Sequence, residues 1–162
     1  MLDASFFHLL LLIIAANAGP IIIKNILKNT WDLPIDGGVK FIDGQPLFGV
    51  SKTWRGLVAS LIFTSVVAMI LGYSIQIGAL ISVLAMTGDL CSSFIKRRLK
   101  LASSSKALLL DQIPESLLPA VIMMTIFKLS SFSIFVLIIF FILFELSVSQ
   151  VLYKMSIRKH PY

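Results

Sequence analysis

Five apolar runs, roughly residues 5–23, 57–73, 75–91, 113–128 and 132–152, alternate with two polar stretches, 24–56 and 92–112. Each run approaches the ~20 residues that a helix needs to cross ~30 Å of hydrocarbon. The only charged side chains inside the runs are Asp89, Glu115, Lys128 and Glu145. A bilayer core offers no water to bond a bare backbone, so runs of this kind fold as helices. The pattern predicts an all-α integral membrane protein with five transmembrane helices, residues 1–162 forming one membrane-embedded domain.

Breaks in the pattern carry information of their own. Gly19-Pro20 predicts a kink in the first helix, because proline cannot donate the backbone bond that continues it. Asn17, one turn earlier, is either an interhelical hydrogen bonder or a pocket wall for a lipid, and Pro20 would shape the same pocket. Runs two and three are joined only by Gly72 to Gln76, a tight antiparallel pair. Pro114 suits a first helical turn, and Pro119 predicts a bend. The first run resembles a signal peptide in length, but Asp3 precedes it and no Lys or Arg does, so a first transmembrane helix is expected.

Composition sharpens this picture. With 57% hydrophobic residues and a mean hydropathy of +0.95, the chain exceeds the about 45–50% apolar content of soluble domains. The formal net charge is +6. Lys24, Lys28, Lys40, Lys52 and Arg55 follow run one; Lys96, Arg97, Arg98, Lys100 and Lys106 follow run three; Lys154, Arg158 and Lys159 follow run five. The positive-inside rule then puts the N-terminus outside and loops 24–56 and 92–112, with the C-terminus, in the cytoplasm. Multi-pass residence in the cytoplasmic (inner) membrane follows. Nucleic acid is not an expected partner, and a homodimer is open to such a chain. The single cysteine, Cys91, excludes an internal disulfide, and His8 and His160 lie too far apart in sequence for a His metal motif.

The candidate chemistry lies at helix ends. If helix three continues through its basic end, Asp89, Ser92, Ser93, Lys96 and Lys100 share one face. Such a stripe sets a deep carboxylate beneath hydroxyls and ammonium groups, suited to a metal with phosphate oxygens reaching outward. Arg97 and Arg98 lie off that face and could hold a second phosphate. Asp111, opening run four, is the natural second carboxylate for Mg²⁺, which is usually held by one or two carboxylates plus substrate phosphates; Glu115 is a third candidate. Loop 24–56 holds Gly37-Gly38 and the Lys52-Thr53-Trp54-Arg55 segment, whose backbone donors and cations suit phosphate. Trp54 also suits the bilayer interface. Glu145 is either functional or an interface-facing acid near Tyr153 and Lys154. With no Ser-His-Asp or Cys-His set, the nucleophile would come from the substrate: a lipid phosphate attacking the α-phosphate of a nucleoside triphosphate.

Six short segments resemble the motifs of the CDP-archaeol synthase family, which is similar in turn to the CDP-diacylglycerol synthases (phosphatidate cytidylyltransferases). They are Asn17-Ala18-Gly19-Pro20, Pro34-Ile35-Asp36-Gly37-Gly38, Lys52-Thr53-Trp54-Arg55-Gly56, Gly88-Asp89, Ser93-Phe94-Ile95-Lys96-Arg97-Arg98 and Leu110-Asp111-Gln112. The resemblance implies a five-span enzyme joining CTP to a lipid phosphate, phosphatidate or its archaeal ether-lipid counterpart, with Mg²⁺ and release of pyrophosphate. It implies metal-site carboxylates at Asp89 and Asp111 and phosphate binders at Lys52, Arg55, Lys96 and Arg97. Two departures stand out. Pro114 occupies the position where the family usually has a further Asp, with Glu115 displaced by one, and Val50-Ser51 precede Lys52 where Asp or Gly is expected. Two other readings stay open: a CTP-using isoprenoid-alcohol kinase, and a non-catalytic protein that binds anionic lipid through its basic loops.

Overall fold

The structure, a computed structural model, describes residues 3–28, 30–102, 107 and 109–154, the side chains of 152–154 excepted. Lys106, Arg158, Lys159, His160 and the side chains of Tyr153 and Lys154 lie outside the described residues. The described residues form five helices and no strand: α1 (Ala4–Leu27), α2 (Trp54–Ile70), α3 (Ile75–Arg98), α4 (Gln112–Ile122) and α5 (Ser131–Lys154). α1 touches all four others. Its Phe6, Leu9 and Ile13 pack in one core with Ile81, Ala120 and Phe141. The chain is a multi-pass integral membrane protein.

The helix bounds correct the expected ones. α1, α3 and α5 are long and apolar enough to cross a bilayer, whereas α2 has 17 residues and α4 only 11. Run four, expected as a helix over 113–128, ends its helix at Ile122 and continues as turns. The overshoot has a cause: Met123 and Phe127 stay buried in the core, so helical spacing of apolar residues persists beyond the helix. α3 does continue through its basic end, but stops at Arg98; Lys100 has a left-handed backbone (φ 57°) and falls off the expected stripe.

Pro20 does not break α1, which runs on to Leu27. A proline at position 20 frees the carbonyl four residues back, that of Ala16. The Ser60 hydroxyl of α2 donates to that carbonyl at 2.8 Å and also meets the Ser82 hydroxyl of α3 at 2.7 Å. One serine thus repairs the proline and ties three helices. Asn17 bonds within its own helix, its amide donating to the Ile13 carbonyl at 3.1 Å.

Glycines set the helix spacing. A Cβ at Gly19 would lie 3.0 Å from the backbone of Ala59 and Ser60, and one at Gly78 would lie 2.6 Å from Ser65 Cα. At Gly88 it would lie 2.2 Å from the Pro114 carbonyl oxygen. These contacts fix the register: α2 and α4 both begin beside Asp89, while α3 continues nine residues further, about 13 Å at 1.5 Å per residue. The bundle therefore has a sunken floor at one end, ringed by the projecting end of α3 and the α1–α2 loop.

Candidate functional site

The floor collects the ionisable groups. Lys52, one residue before the α2 cap, places its Nζ 2.5 Å from both carboxylate oxygens of Asp89. Glu115, in the first turn of α4, is buried and its carboxyl is in hydrogen-bonding contact with that of Asp89. Lys96, one helical face up α3, is buried and lies 2.7 Å from Asp111 Oδ1. Asp111 and Glu115 also lie near enough to act on the charge of Lys52, and Glu145 of α5 acts on Glu115. Burial works against the Lys52 ammonium, yet the Asp89 carboxylate holds its pKa above the ordinary lysine value. Four acids and two lysines from four elements thus meet at one place. The N-terminal ends of α2 and α4 lie beside the same floor, and the positive ends of their dipoles favour anions.

Such a donor set can be tested against a divalent cation. Mg²⁺ takes oxygen ligands, commonly one or two carboxylates completed by phosphate oxygens. Among the described residues no group of three His, Cys, Asp or Glu side chains is placed to hold a metal ion by itself. Asp89 and Glu115, however, touch, and two touching carboxylates cannot both be ionised without a proton or a cation between them. The residues fit a cation that borrows its remaining ligands from a phosphate. Asp111, expected to share an ion with Asp89, is salt-bridged to Lys96, just as Asp89 is to Lys52, and Glu115 is the acid in contact with Asp89.

Comparison with known proteins decides the family. The family model described as CarS-like CDP-archaeol synthase matches residues 2–162. The chain belongs to the CDP-archaeol synthase family. The chain is 36% identical to the CDP-archaeol synthase of Sulfurisphaera tokodaii over 138 residues, covering 80% of this chain and 81% of that protein. It is 39% identical to the CDP-archaeol synthase of Hyperthermus butylicus over 106 residues, covering 62% of this chain and 60% of that protein's length. A solved structure described as “Structural insight into an intramembrane enzyme for archaeal membrane lipids biosynthesis” superposes with a TM-score of 0.68 at 26% identity, covering 87% of this chain and 90% of that one.

Not every residue expected to bind phosphate in this family member has free donors. Gly37 and Gly38 adopt left-handed backbones, but their N–H groups already donate to the Pro34 carbonyl and to Asp36. They build a turn, and no phosphate cradle remains there. Thr53 caps α2, its hydroxyl accepting from the Gly56 N–H at 3.4 Å. Arg55 is buried and donates to the Thr30 carbonyl and to Asp32 at 2.7 Å, stitching the α1–α2 loop to α2. Arg98 lies between the rings of Phe41 and Phe94, 4.7 and 4.6 Å from their centroids, and pairs with Asp43 at 2.7 Å. It also donates to the Pro46 carbonyl at 2.7 Å. Arg55 and Arg98 are therefore loop clamps. Arg97 and Ser93 are buried in the last turns of α3, with Arg97 Nη2 donating to the Ala102 carbonyl at 3.0 Å.

Pattern reading missed Asp36. Its carboxylate accepts from the N–H groups of Gly38, Phe48 and Gly49 at 2.9–3.0 Å, closing the loop on itself. The signal was present: Asp followed by two glycines is the composition of a turn in which the side chain bonds the backbone two residues on.

Proposed function

We propose that this chain is a CTP-dependent cytidylyltransferase that activates an archaeal ether-lipid phosphate to a CDP-lipid. The observation carrying it is the sunken cluster of Lys52, Asp89, Lys96, Asp111 and Glu115 in a member of this family. A lipid phosphate oxygen attacks the α-phosphorus of CTP; the new P–O–P bond forms as the α–β bond breaks, and pyrophosphate leaves with the electron pair. The attacking monoester is already largely ionised near neutrality, so no general base is needed. Bound Mg²⁺ would supply charge neutralisation on the phosphate oxygens, with Asp89 and Glu115 as its holders. Lys52, released from Asp89, and Lys96, aimed by Asp111, neutralise the phosphates and fix the two reactants in line. Catalysis is positioning and electrostatics. The charged loops face the cytoplasm and the N-terminus the outside, following the basic flanks.

The test is incubation of the purified, reconstituted protein with α-labelled CTP, Mg²⁺ and either the ether-lipid phosphate or phosphatidate. Label entering the lipid with release of pyrophosphate supports the reading, and Asp89→Asn should abolish it while the protein stays folded. Release of CDP with γ-phosphate in the lipid would make the chain a kinase; no Mg²⁺-dependent CTP binding would make it a passive lipid binder.

A further inference from the structure

The α1–α2 loop carries apolar side chains that none of the described residues covers. Trp31 is 76% exposed, Leu33 68%, Val50 67% and Trp54 53%. They are neighbours: the Trp54 N–H donates to the Leu33 carbonyl at 3.1 Å, and Pro34 bridges to Thr53. Trp31 also holds a left-handed backbone (φ 55°), a conformation that L side chains other than Asn and Asp seldom adopt. It persists here with the indole turned outward rather than packed inward.

Position says what meets this patch. Trp54 heads the exposed face of α2, continued at i+4 spacing by Val58, Ile62, Val66 and Ile70. On α1, Ile22 and Ile26 are exposed just before the loop. These are the faces that a membrane helix turns to lipid, and the patch continues them without a gap. Because α2 begins about 13 Å below the tip of α3, the strand-like segment beside Trp54 lies at the depth of that floor. Exposed Lys24 and Lys28, at the end of α1, lead into it along the chain. Aromatic rings of mixed polarity favour the headgroup level, and nearby lysines are drawn to anionic headgroups.

We propose that Trp31, Leu33, Val50 and Trp54 form a shoulder seated in the headgroup–acyl boundary of an anionic bilayer. The loop is then a monotopic element lying in the interface, and the bilayer sets the depth at which Lys52 meets Asp89. This inference is independent of the reaction assigned above.

The chain has only two tryptophans, and both belong to the shoulder, so intrinsic fluorescence reads it alone. The full chain is reconstituted in phosphatidylglycerol bilayers brominated either near the headgroup or at the chain ends. Trp31→Phe and Trp54→Phe leave one reporter each. Expected is loss of most emission from each reporter with bromine near the headgroup, weaker loss with bromine at the chain ends, and little loss with aqueous iodide. Iodide quenching of Trp31 with no bromine effect would put the shoulder in water and overturn the proposal. Protection from both quenchers, appearing only at high protein density, would make a second copy of the chain the occupant and overturn it equally.

Discussion

Lys52 and Asp89 carry the proposed chemistry, and in the structure each is the other's ion-pair partner. Their side chains are 20% and 18% exposed, so the pair is largely out of water, and losing one partner leaves a buried charge that costs about 3 kcal/mol. Lys52→Met should therefore lower the thermal midpoint in detergent and reduce CMP transfer at least about 100-fold, the scale seen when one electrostatic donor leaves an active site. Rates within threefold of the parent would remove Lys52 from the mechanism. Asp36 offers a pH test. Burial pushes its pKa up, but donation from Phe48, Gly49 and Gly38 prevails and holds it below the ordinary carboxylate value. A depressed native pKa means stability that is present above the unfolded value of about 3.9 and lost as pH falls through the native one. Limited proteolysis within residues 28–53 should stay slow above about pH 5 and accelerate below pH ~4. Asp36→Asn should be cut faster at neutral pH and lose that acid step; an unchanged profile would refute the role.

At the level of elements, the helices were readable because their runs are apolar almost without interruption and because the two polar stretches between them are distinct. What escaped was how the elements end and touch. The α4 boundary was missed since Met123 and Phe127 continue the apolar spacing after the helix has stopped. The rescue of Pro20 by Ser60 was missed because a serine 40 residues away in a membrane run carries no local signal. Arg55 and Arg98 look like phosphate ligands by composition, and only the fold reveals that Thr30, Asp32, Asp43 and Pro46 already occupy them. Two measurements follow. Ser60→Ala strands the Ala16 carbonyl and should destabilise the bundle by about 1–3 kcal/mol, read as a lower thermal midpoint, with Ser60→Thr closer to parent. Arg98→Lys keeps the charge but loses the planar stack on Phe41 and Phe94 and the forked hydrogen bonds; it should loosen the loop, raising KM for CTP more than it lowers kcat. Equal proteolysis rates of parent and variant would argue that the clamp is slack.

For the whole molecule, the family likeness and the five-helix order agree with the pattern of apolar runs, and both basic segments meet at one end, where Arg98 grips the α1–α2 loop. That end is predicted to face the cytoplasm. In a Cys91→Ser background, Lys40→Cys should react with an impermeant maleimide only after cells are opened, and Gln76→Cys should react in intact cells. The reverse pattern would invert the topology. Gly88→Ala probes the assembly as a unit: its Cβ would lie 2.2 Å from the Pro114 oxygen, so α3 and α4 must part, and overpacking of this kind costs about 1–3 kcal/mol or more.

The low starting points of α2 and α4 have an energetic corollary. Raising a lipid by about 13 Å into water would bare roughly ten methylenes, about 8 kcal/mol at about 0.8 kcal/mol each, enough to make such excursions vanishingly rare. With the proposed reaction floor and interfacial shoulder at the lipid's own resting height, that climb is unnecessary, and the journey falls to the reactant that water already dissolves.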